Sequence, residues 1–372
     1  MICCMFRPKR TAHVRRLWKL RVHHEAGSKE ETPEEMETKS FTHSMLKRLK
    51  EKQLESLVQS VESKGGEESD CVLLPKGDFR LGKKLMTPLI LCCKMWRWND
   101  ITSLTDLKRL PCCTSANDPA YECCNPYHWS LLLEPDISLT SSQYEDCKNS
   151  KYTDNLEPAP DEAVSLETGM TPTPRCHVYT DVALQQQQQQ SGIDTGQTVS
   201  YSHWCTIAYW ELRQRKGRLL TVFNPYINIY DYLPRGDGLC LHVLQDSAET
   251  ESVRRTREKI GFGVILSREG DSVWLYNRSQ HAIFVHSPTL ESPKSQSRTL
   301  HIQKVLSGYS LKIYDYDRKH LLDNLHDPKY LDGPYDPYSI RVSFAKGWGQ
   351  HYSRQVITSC PCWLEIMLNV DR

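Results

Sequence analysis

Apolar positions recur at helical spacing in residues 42–62, THSMLKRLKEKQLESLVQSVE. Leu54, Leu57 and Val61 fall on one face of a helix, and basic residues occupy the other side. The pattern predicts one amphipathic helix that ends at a Lys-Gly-Gly sequence. Short apolar segments and a cysteine-rich stretch follow, so we expect a small mixed α/β domain over residues 41–132.

Short segments of strand character dominate the last part of the chain. They arrive at fairly regular intervals and are separated by turn residues. Ile340, Val342 and Phe344 share one face of such a segment, as a half-buried strand requires. This density of strands predicts an antiparallel β-sandwich over residues 201–372. One helix interrupts the strands at AETESVRRTREKIGFG, with Gly261 suited to follow its last turn.

The other parts of the chain lack a periodic apolar pattern. Residues 1–40 carry a basic block through His24 and then a glutamate-rich block, which predicts a disordered arm. The functional alternative for this arm is nuclear import or contact with nucleic acid. Residues 133–200 are rich in polar residues and contain the run Gln185–Gln190, which predicts a flexible linker with polyglutamine and no core of its own.

Composition narrows the class of protein. The 372 residues suffice for about two ordinary domains, and 47 basic against 46 acidic residues give no bulk attraction to nucleic acid or membranes. The 15 cysteines would suit a secreted protein, but the N-terminus has no apolar signal segment and several cysteines are adjacent pairs. We therefore expect an intracellular chain with reduced thiols and no membrane span.

Three cysteines and a histidine form the first group of residues that could bind a ligand. The candidate ligands are Cys71, Cys113, Cys123 and His128. Zinc prefers such thiolate and imidazole groups in a closed structural site. The spacing is not that of a zinc finger, however, and buried free cysteines are a common alternative. Cys112 and Cys124 also compete as ligands, so the residues alone leave the set open.

Four cations form the second group. They are Arg255, Lys259, Lys346 and Arg354. The first two lie four residues apart on one helical face, where they could instead complement the helix dipole. The last two flank a Gly-Trp-Gly turn around Trp348, and glycines permit a tight loop with exposed backbone. Together the two elements could hold an acidic or phosphorylated peptide, because arginine offers a planar fork to phosphate.

No catalytic signature is found in the sequence. H-E-x-x-H, G-x-S-x-G, the phosphate-binding loop and the kinase motifs do not occur. Cysteine and histidine are numerous, but their number alone does not indicate a nucleophile and its base. The sequence favours a binding module over an enzyme.

Several segments resemble the SMAD family of signal transducers. The resemblance covers about residues 41–132, as the N-terminal MAD-homology domain, and about 201–370, as the C-terminal one. The segments that carry it are LCCKMWRWNDI, CCNPYHW, SHWCTIAYWE, KIGFGVILSRE, AIFVHSPTL and IRVSFAKGWGQHYSRQVITSCPCWLEIMLN. MFRPKRTAHVRRLW, ESVRRTREKIGFG and DGPYDPYSIRVSFAKGWG resemble the inhibitory branch. The resemblance implies a SMAD/FHA-like fold with a zinc-stabilised first domain, a linker, and a β-sandwich with flanking helices.

The resemblance also implies one structural zinc ion in the first domain. Its ligands would be Cys71, Cys123 and His128, with Cys113 preferred to Cys112 as the fourth. Loss of zinc should then unfold this domain rather than abolish a reaction.

DNA-binding relatives insert a β-hairpin of this domain into the major groove. Arg80 matches the arginine of that hairpin, but Gly82 stands where the relatives have a glutamine. Lys83 and Lys84 could still touch phosphates, which carry no sequence information. Weak DNA binding without sequence specificity is the expectation.

The second domain implies the function. In the family, the loop that corresponds to Lys346, Trp348 and Arg354 docks on type I receptor kinases, and Arg255 and Lys259 would complete the receptor-binding surface. Activating relatives end in a Ser-x-Ser tail that these kinases phosphorylate, whereas this sequence ends LEIMLNVDR. We therefore expect a competitor that binds activated receptors and inhibits bone morphogenetic protein and transforming growth factor-β signalling.

The implied partners follow from this role. They are type I receptor kinases, receptor-activated SMADs, the common mediator SMAD, and transcription factors with their co-repressors, in the nucleus and the cytoplasm. Inhibitory relatives recruit WW-domain ubiquitin ligases through Pro-Pro-x-Tyr, but this chain contains no Pro-Pro pair. The alternative function is a nuclear transcriptional co-repressor that acts at promoters through the zinc-bearing domain and the basic arm.

Overall fold

The computed structural model describes residues 7–22, 33–81, 84–134, 202–245, 250–290, 301–323 and 336–369. The helices are α1 (Arg7–Lys19), α2 (Pro33–Arg48), α3 (Glu51–Glu62), α4 (Pro88–Trp96), α5 (Glu251–Ile260) and α6 (Tyr316–Asp323). Before the linker, the strands are β1 (Leu73–Pro75), β2 (Phe79–Leu81), β3 (Lys84–Met86), β4 (Leu107–Arg109), β5 (Tyr121–Cys123) and β6 (Trp129–Leu133). After it, the strands are β7 (Cys205–Glu211), β8 (Gln214–Val222), β9 (Tyr226–Tyr230), β10 (Leu239–Cys240), β11 (Val264–Glu269), β12 (Ser272–Asn277), β13 (Ile283–His286), β14 (Gln303–Val305), β15 (Tyr309–Asp315), β16 (Ser339–Phe344) and β17 (Trp363–Leu368). Among these helices, none is long and apolar enough to span a lipid bilayer.

Helices α1 to α4 pack around one apolar core in the first part of the chain. Leu17 of α1, Leu54 of α3 and Leu91 of α4 have no exposed surface. Almost every residue of α4 is buried because this helix runs through the middle of the core. Two small antiparallel pairs, β1 with β5 and β2 with β3, flank the helices.

Helix α1 shows that the prediction of a disordered arm over residues 1–40 was wrong for the described part of that segment. Leu17 is fully buried, and the indole of Trp96 donates to its carbonyl at 3.0 Å. The guanidinium of Arg10 donates to the carbonyls of Leu46 and Leu49 at 2.8 Å each. These carbonyls lie in the last turn of α2 and directly after it, where helical partners are lacking, so a basic residue completes a helix C-terminus. Residues 23–32 lie outside the described residues, as does the predicted linker beyond residue 134.

The single helix predicted over residues 42–62 is in fact two helices. Lys50 lies between α2 and α3 with an extended backbone, φ −70° and ψ 160°. Its amide donates to the side chain of Gln53 at 2.9 Å, which is the reciprocal half of a capping box. The Gln53 amide in turn donates to the carbonyl of Leu73 at 2.7 Å, so α3 is held against β1 from its first turn.

The predicted β-sandwich is confirmed after residue 201. One sheet has six antiparallel strands in the order β14-β13-β16-β17-β7-β8, and it faces a second, larger sheet. Val264 and Leu275 of the larger sheet and Ile340 and Leu364 of the smaller one have no exposed surface. The predicted helix is also found: it is α5, and Gly261 follows it with a φ of 49°.

Strand β6 of the first domain extends the larger sheet of the sandwich. The order of that sheet is β10-β9-β11-β12-β15-β6-β4, and β6 runs parallel to β15. The register places Leu131 opposite Tyr309, and the hydroxyls of Ser130 and Ser310 lie 2.7 Å apart. Sequence analysis assigned the two domains separate folds and did not predict this shared sheet.

Two basic side chains that sequence analysis did not single out also join the domains. Arg97 donates to the hydroxyl of Tyr276 at 2.7 Å. Lys108 forms an ion pair with Glu269 at 2.6 Å and lies 4.4 Å from the centre of the Trp274 ring. Cation–π contacts of this kind are stronger when desolvated, and the Lys108 side chain is only 13% exposed.

Candidate functional site

The first candidate site is a buried group of three thiols and one imidazole. The four side chains are those of Cys71, Cys113, Cys123 and His128, and their ligand atoms all lie within 4.8 Å of one another. Cys123 and His128 are buried, with 0% and 3% of their surfaces exposed. The chain thus brings together residues up to 57 positions apart.

The distances in this group fit a tetrahedral zinc ion. At the bond lengths usual for zinc, thiolate and imidazole ligands stand about 3.5–3.8 Å apart at the corners of a tetrahedron. The Cys71 and Cys113 sulfurs are 3.7 Å apart, and His128 Nδ1 is 3.5 Å from the sulfurs of Cys71 and Cys123. The donor set and its spacing are therefore compatible with a structural zinc site.

Neighbouring groups orient these ligands. His128 Nε2 lies 3.0 Å from the carbonyl of Ser69, so its N–H donates there and Nδ1 presents a lone pair to the sulfurs. The amide of Asn125 donates to the Cys123 sulfur at 3.4 Å, and Arg109 donates to the Cys113 sulfur at 3.3 Å. Such hydrogen bonds stabilise thiolates.

The ionisation of the thiols is strongly coupled. Hydrogen bonds from Cys123 and Cys71 hold the pKa of the Cys113 thiol far below its usual range. The same contacts, first with Cys113 and then with Cys71, raise the pKa of Cys123. Three thiolates this close repel one another, and a divalent cation is the group that allows all of them to ionise.

Local structure explains why these four residues meet. The β1–β5 pair sets Leu73 opposite Cys123, which brings Cys71, two residues before Leu73, close to Cys123. The side chain of Asn125 accepts from the amide of Tyr127 at 3.1 Å and so starts the short 3₁₀ turn that carries His128. Cys113 lies in the turn after β4, where its amide donates to the Leu110 carbonyl at 3.0 Å.

The structure places Cys112 apart from the other candidate ligands. Cys112 packs against Ile265 and Tyr276 of the sandwich, and burial raises the pKa of its thiol to about 12. Cys124, the other competing cysteine, is buried beside Cys92. The geometry thus separates two adjacent cysteines that spacing alone could not distinguish.

The second candidate site is a cationic surface formed by α5 and the loop after β16. Burial lowers the pKa of Lys346, and the positive charges of Lys259 and Arg354 lower it further. Lys259 and Arg354 therefore each lie close enough to repel the charge of Lys346. Arg255 differs from these three cations because it is paired with Glu251 at 2.6 Å, and its side chain is 71% exposed.

The loop that carries Lys346 is held from inside the domain. Trp348 is only 1% exposed and packs against Phe284, Ile357 and Trp363. Its side chain therefore anchors the loop from inside the domain, and its predicted contact with a receptor stays a prediction.

Glycine is required beside this tryptophan. A Cβ atom on Gly347 would lie 2.5 Å from the ring of Tyr352. Gly349 has a φ of 93°, and its amide donates to the Arg354 carbonyl at 2.7 Å. The backbone of the turn thus brings Arg354 back towards Lys346.

The predicted DNA-contacting residues lie on a separate hairpin. Arg80 is exposed in β2, and Lys84 begins β3. Lys83 and Gly82 lie outside the described residues.

Comparison with known proteins matches both domains. Residues 38–133 match the MH1 domain family, and residues 202–369 match the MH2 domain family. A Gallus gallus protein, mothers against decapentaplegic homolog 6, is 45% identical over 91% of this chain and 76% of its own length. Homo sapiens mothers against decapentaplegic homolog 7 is 41% identical over 90% of this chain and 79% of its own length. Among solved structures, the interferon regulatory factor 9 IAD domain aligns over 47% of this chain and 87% of its own length, with 8% sequence identity. The TM-score of 0.32 is too low to establish a shared fold.

Proposed function

We propose, on the premise that this chain belongs to the inhibitory SMAD family, that it restrains signalling by receptor serine/threonine kinases. The family consists of signalling and transcription adaptors with MH1 and MH2 domains, and not of enzymes. The proposed mechanism is occupancy. The MH2 domain binds activated type I receptors of the bone morphogenetic protein and transforming growth factor-β system, and it thereby excludes the receptor-activated SMADs.

The cationic surface is the observation that supports this proposal. Lys259, Lys346 and Arg354 gather on a half-exposed patch of the MH2 domain. Among the described residues, no carboxylate pairs with any of the three. Uncompensated cations that remain together at a partly buried surface favour an anionic partner.

A phosphorylated, acidic receptor segment has the chemistry that such a surface recognises. Arg354 can hold a phosphate through two parallel N–H groups, and the two lysines act as point charges. Arg255 is already paired with Glu251, so in this proposal it lies at the rim of the surface and contributes less to binding. The anchored loop keeps Lys346 and Arg354 in position before the partner arrives, which reduces the entropic cost of binding.

The first domain has a structural part in the proposal. Cys71, Cys113, Cys123 and His128 would hold one zinc ion, which supplies four bonds that close the fold of the domain. The proposed partners of the whole chain also include other SMADs, in the nucleus and the cytoplasm.

The experiment that tests the proposal is a calorimetric titration of the metal-loaded chain. The ligands are a phosphorylated peptide from the regulatory segment of a type I receptor and its unphosphorylated form. We expect the phosphorylated peptide to bind more tightly and its affinity to fall as salt is raised. Equal affinity for the two peptides would remove the electrostatic basis of the proposal.

A charge-matched pair of variants sharpens the test. Lys346→Ala/Arg354→Ala should weaken binding at least about tenfold, since hydrogen bonds to charged groups contribute about 1.5–3 kcal/mol each. The control is Arg235→Ala/Arg268→Ala, which removes two exposed charges from the region of the other sheet of the same domain. An equal loss in the control would point to bulk charge instead of the proposed surface.

A further inference from the structure

Each of the two strands that the first domain contributes to the shared sheet lies close in sequence to a candidate metal ligand. His128 is the residue immediately before β6, which begins at Trp129. Cys113 follows β4, which ends at Arg109, by four residues. The metal centre therefore lies at one end of the β4–β6 pair.

Contacts between these strands pass through the ligands themselves. The amide of Leu110 donates to the His128 carbonyl at 2.9 Å, which closes the end of the pair. Arg109 lies opposite Trp129, with its guanidinium 4.5 Å from the centre of that ring, and also donates to the Cys113 sulfur. A shift of either ligand would therefore move β6.

The edge of β6 that faces away from β4 forms the junction with the sandwich. The amide of Leu131 donates to the Gly308 carbonyl at 3.0 Å, and the strand then pairs with Tyr309 and its neighbours. Arg97 reinforces the junction from the ligand side: it donates to the carbonyls of Pro126 and Trp129 and also to the hydroxyl of Tyr276. One guanidinium thus connects the turn that carries His128 to the C-terminal domain.

We propose that metal binding and docking of the first domain on the sandwich are thermodynamically linked. The metal holds the β4–β6 pair in the form that extends the seven-stranded sheet, so a filled site stabilises the junction. Linkage is reciprocal for binding free energies, so the docked sandwich must raise the affinity of the site for the metal by the same factor. The inference concerns the coupling of the two domains and does not depend on the receptor-binding surface.

The first experiment follows the sandwich while the metal is removed. The full chain, with its zinc content measured, is treated with a chelator, and amide hydrogen exchange is recorded by mass spectrometry. Exchange should increase in β15 of the C-terminal domain, while β16 and β17, in the other sheet, stay protected. Unchanged protection of β15 would overturn the proposal, and so would a purified chain that holds no metal.

The second experiment tests the reciprocal effect with substitutions that touch no ligand. Lys108 and Glu269 form an ion pair at 2.6 Å in the junction, and Glu269→Lys replaces it with two cations that repel each other. We expect weaker zinc binding in an equilibrium competition with a colorimetric chelator, by about fivefold or more, which is the lower end of typical coupling between sites. Lys108→Glu/Glu269→Lys restores opposite charges and should recover much of the lost zinc affinity.

Matched controls separate linkage from general destabilisation. Tyr276→Phe removes only the hydroxyl that Arg97 reaches and should lower the zinc affinity by a smaller factor. Arg218→Ala, an exposed change on the outer strand of the other sheet, should leave the zinc affinity unchanged. If Glu269→Lys exposes β15 to exchange but zinc binds with wild-type affinity, the two events are independent and the proposal is wrong.

Discussion

The two candidate sites use charge in opposite ways. In the MH1 domain, three sulfurs and an imidazole point inward at one another, and Cys123 and His128 are almost completely buried. In the MH2 domain, Lys259, Lys346 and Arg354 are half-exposed and lack a carboxylate partner among the described residues. A closed cluster that one cation can neutralise serves stability, whereas an open cluster of like charge serves binding.

The contacts that hold the two sites in place also differ. Hydrogen bonds that Asn125 and Arg109 donate to the sulfurs, and one that the Ser69 carbonyl accepts from His128, hold the candidate metal ligands on several sides. The cationic loop is fixed instead from below, through the buried ring of Trp348. Substitutions should therefore affect folding at the first site, and folding or binding separately at the second. The following predictions test this contrast.

The largest effect is expected from loss of a metal ligand. His128→Ala should unfold the MH1 domain, since zinc contributes about 10 kcal/mol or more to comparable small domains. Circular dichroism and zinc content, measured with and without a chelator, check this. Cys112→Ser is the control, because the structure places Cys112 outside the ligand group. If Cys112→Ser lost the metal and His128→Ala kept it, the assigned ligand set would be wrong.

The next largest effect concerns the anchor of the cationic loop. Trp348→Ala should destabilise the MH2 domain by about 3–5 kcal/mol, the usual cost of removing a buried aromatic ring from a core. Thermal unfolding of the full chain measures the loss. A variant with wild-type stability but weakened peptide binding would show that Trp348 contacts the partner, against its burial.

A smaller effect is expected from pH. The pKa of Lys346 is lowered, first by burial and then by Lys259 and Arg354, so this lysine loses its proton at a lower pH than an exposed lysine. Binding of the phosphopeptide should therefore weaken as pH rises through that lowered pKa. Lys346→Arg keeps its charge throughout and should abolish this alkaline decrease. Identical pH profiles for the two proteins would show that the lysine does not contribute.

The smallest effect is expected from removing the charge of Lys346, and it should have opposite signs for stability and for peptide binding. Because the folded state lowers the pKa of Lys346, it disfavours the protonated form, and stability rises as pH increases through this range. At neutral pH, Lys346→Met should stabilise the domain by less than about 1 kcal/mol, since partly exposed charges are screened by water. It should weaken peptide binding at the same time. A destabilised variant would show that the lysine contributes to the fold.

Local patterns predicted most of the fold. Alternation of apolar residues such as Ile340, Val342 and Phe344 indicated strands, and these side chains are almost completely buried in the sandwich. The residues of segment 248–263 indicated the helix α5, with Gly261 directly after it. The types of residue also indicated the chemistry of both sites, because thiols with imidazole suit zinc and clustered cations suit phosphate.

Tertiary structure decided which of the candidate residues meet. Cys112 and Cys113 are equivalent in the sequence, and only the turn after β4 directs one to the metal group and the other to the sandwich. Trp348 was predicted as a contact residue, and packing against Phe284 and Trp363 also makes it part of a core. The basic segment of α1 suggested a disordered arm because its buried stripe is narrow, centred on Leu17.

The sequence by itself determined the strands, the helix α5 and the two kinds of chemistry, since each depends on residues close together in the chain. Only the folded chain decided that β6 pairs with β15, with Ser130 and Ser310 in contact across 180 positions. Pairing of distant strands depends on register and on the packing of both domains at once, and no short pattern records it. That long-range contact also places the candidate metal site of the first domain at one end of a strand in the shared sheet.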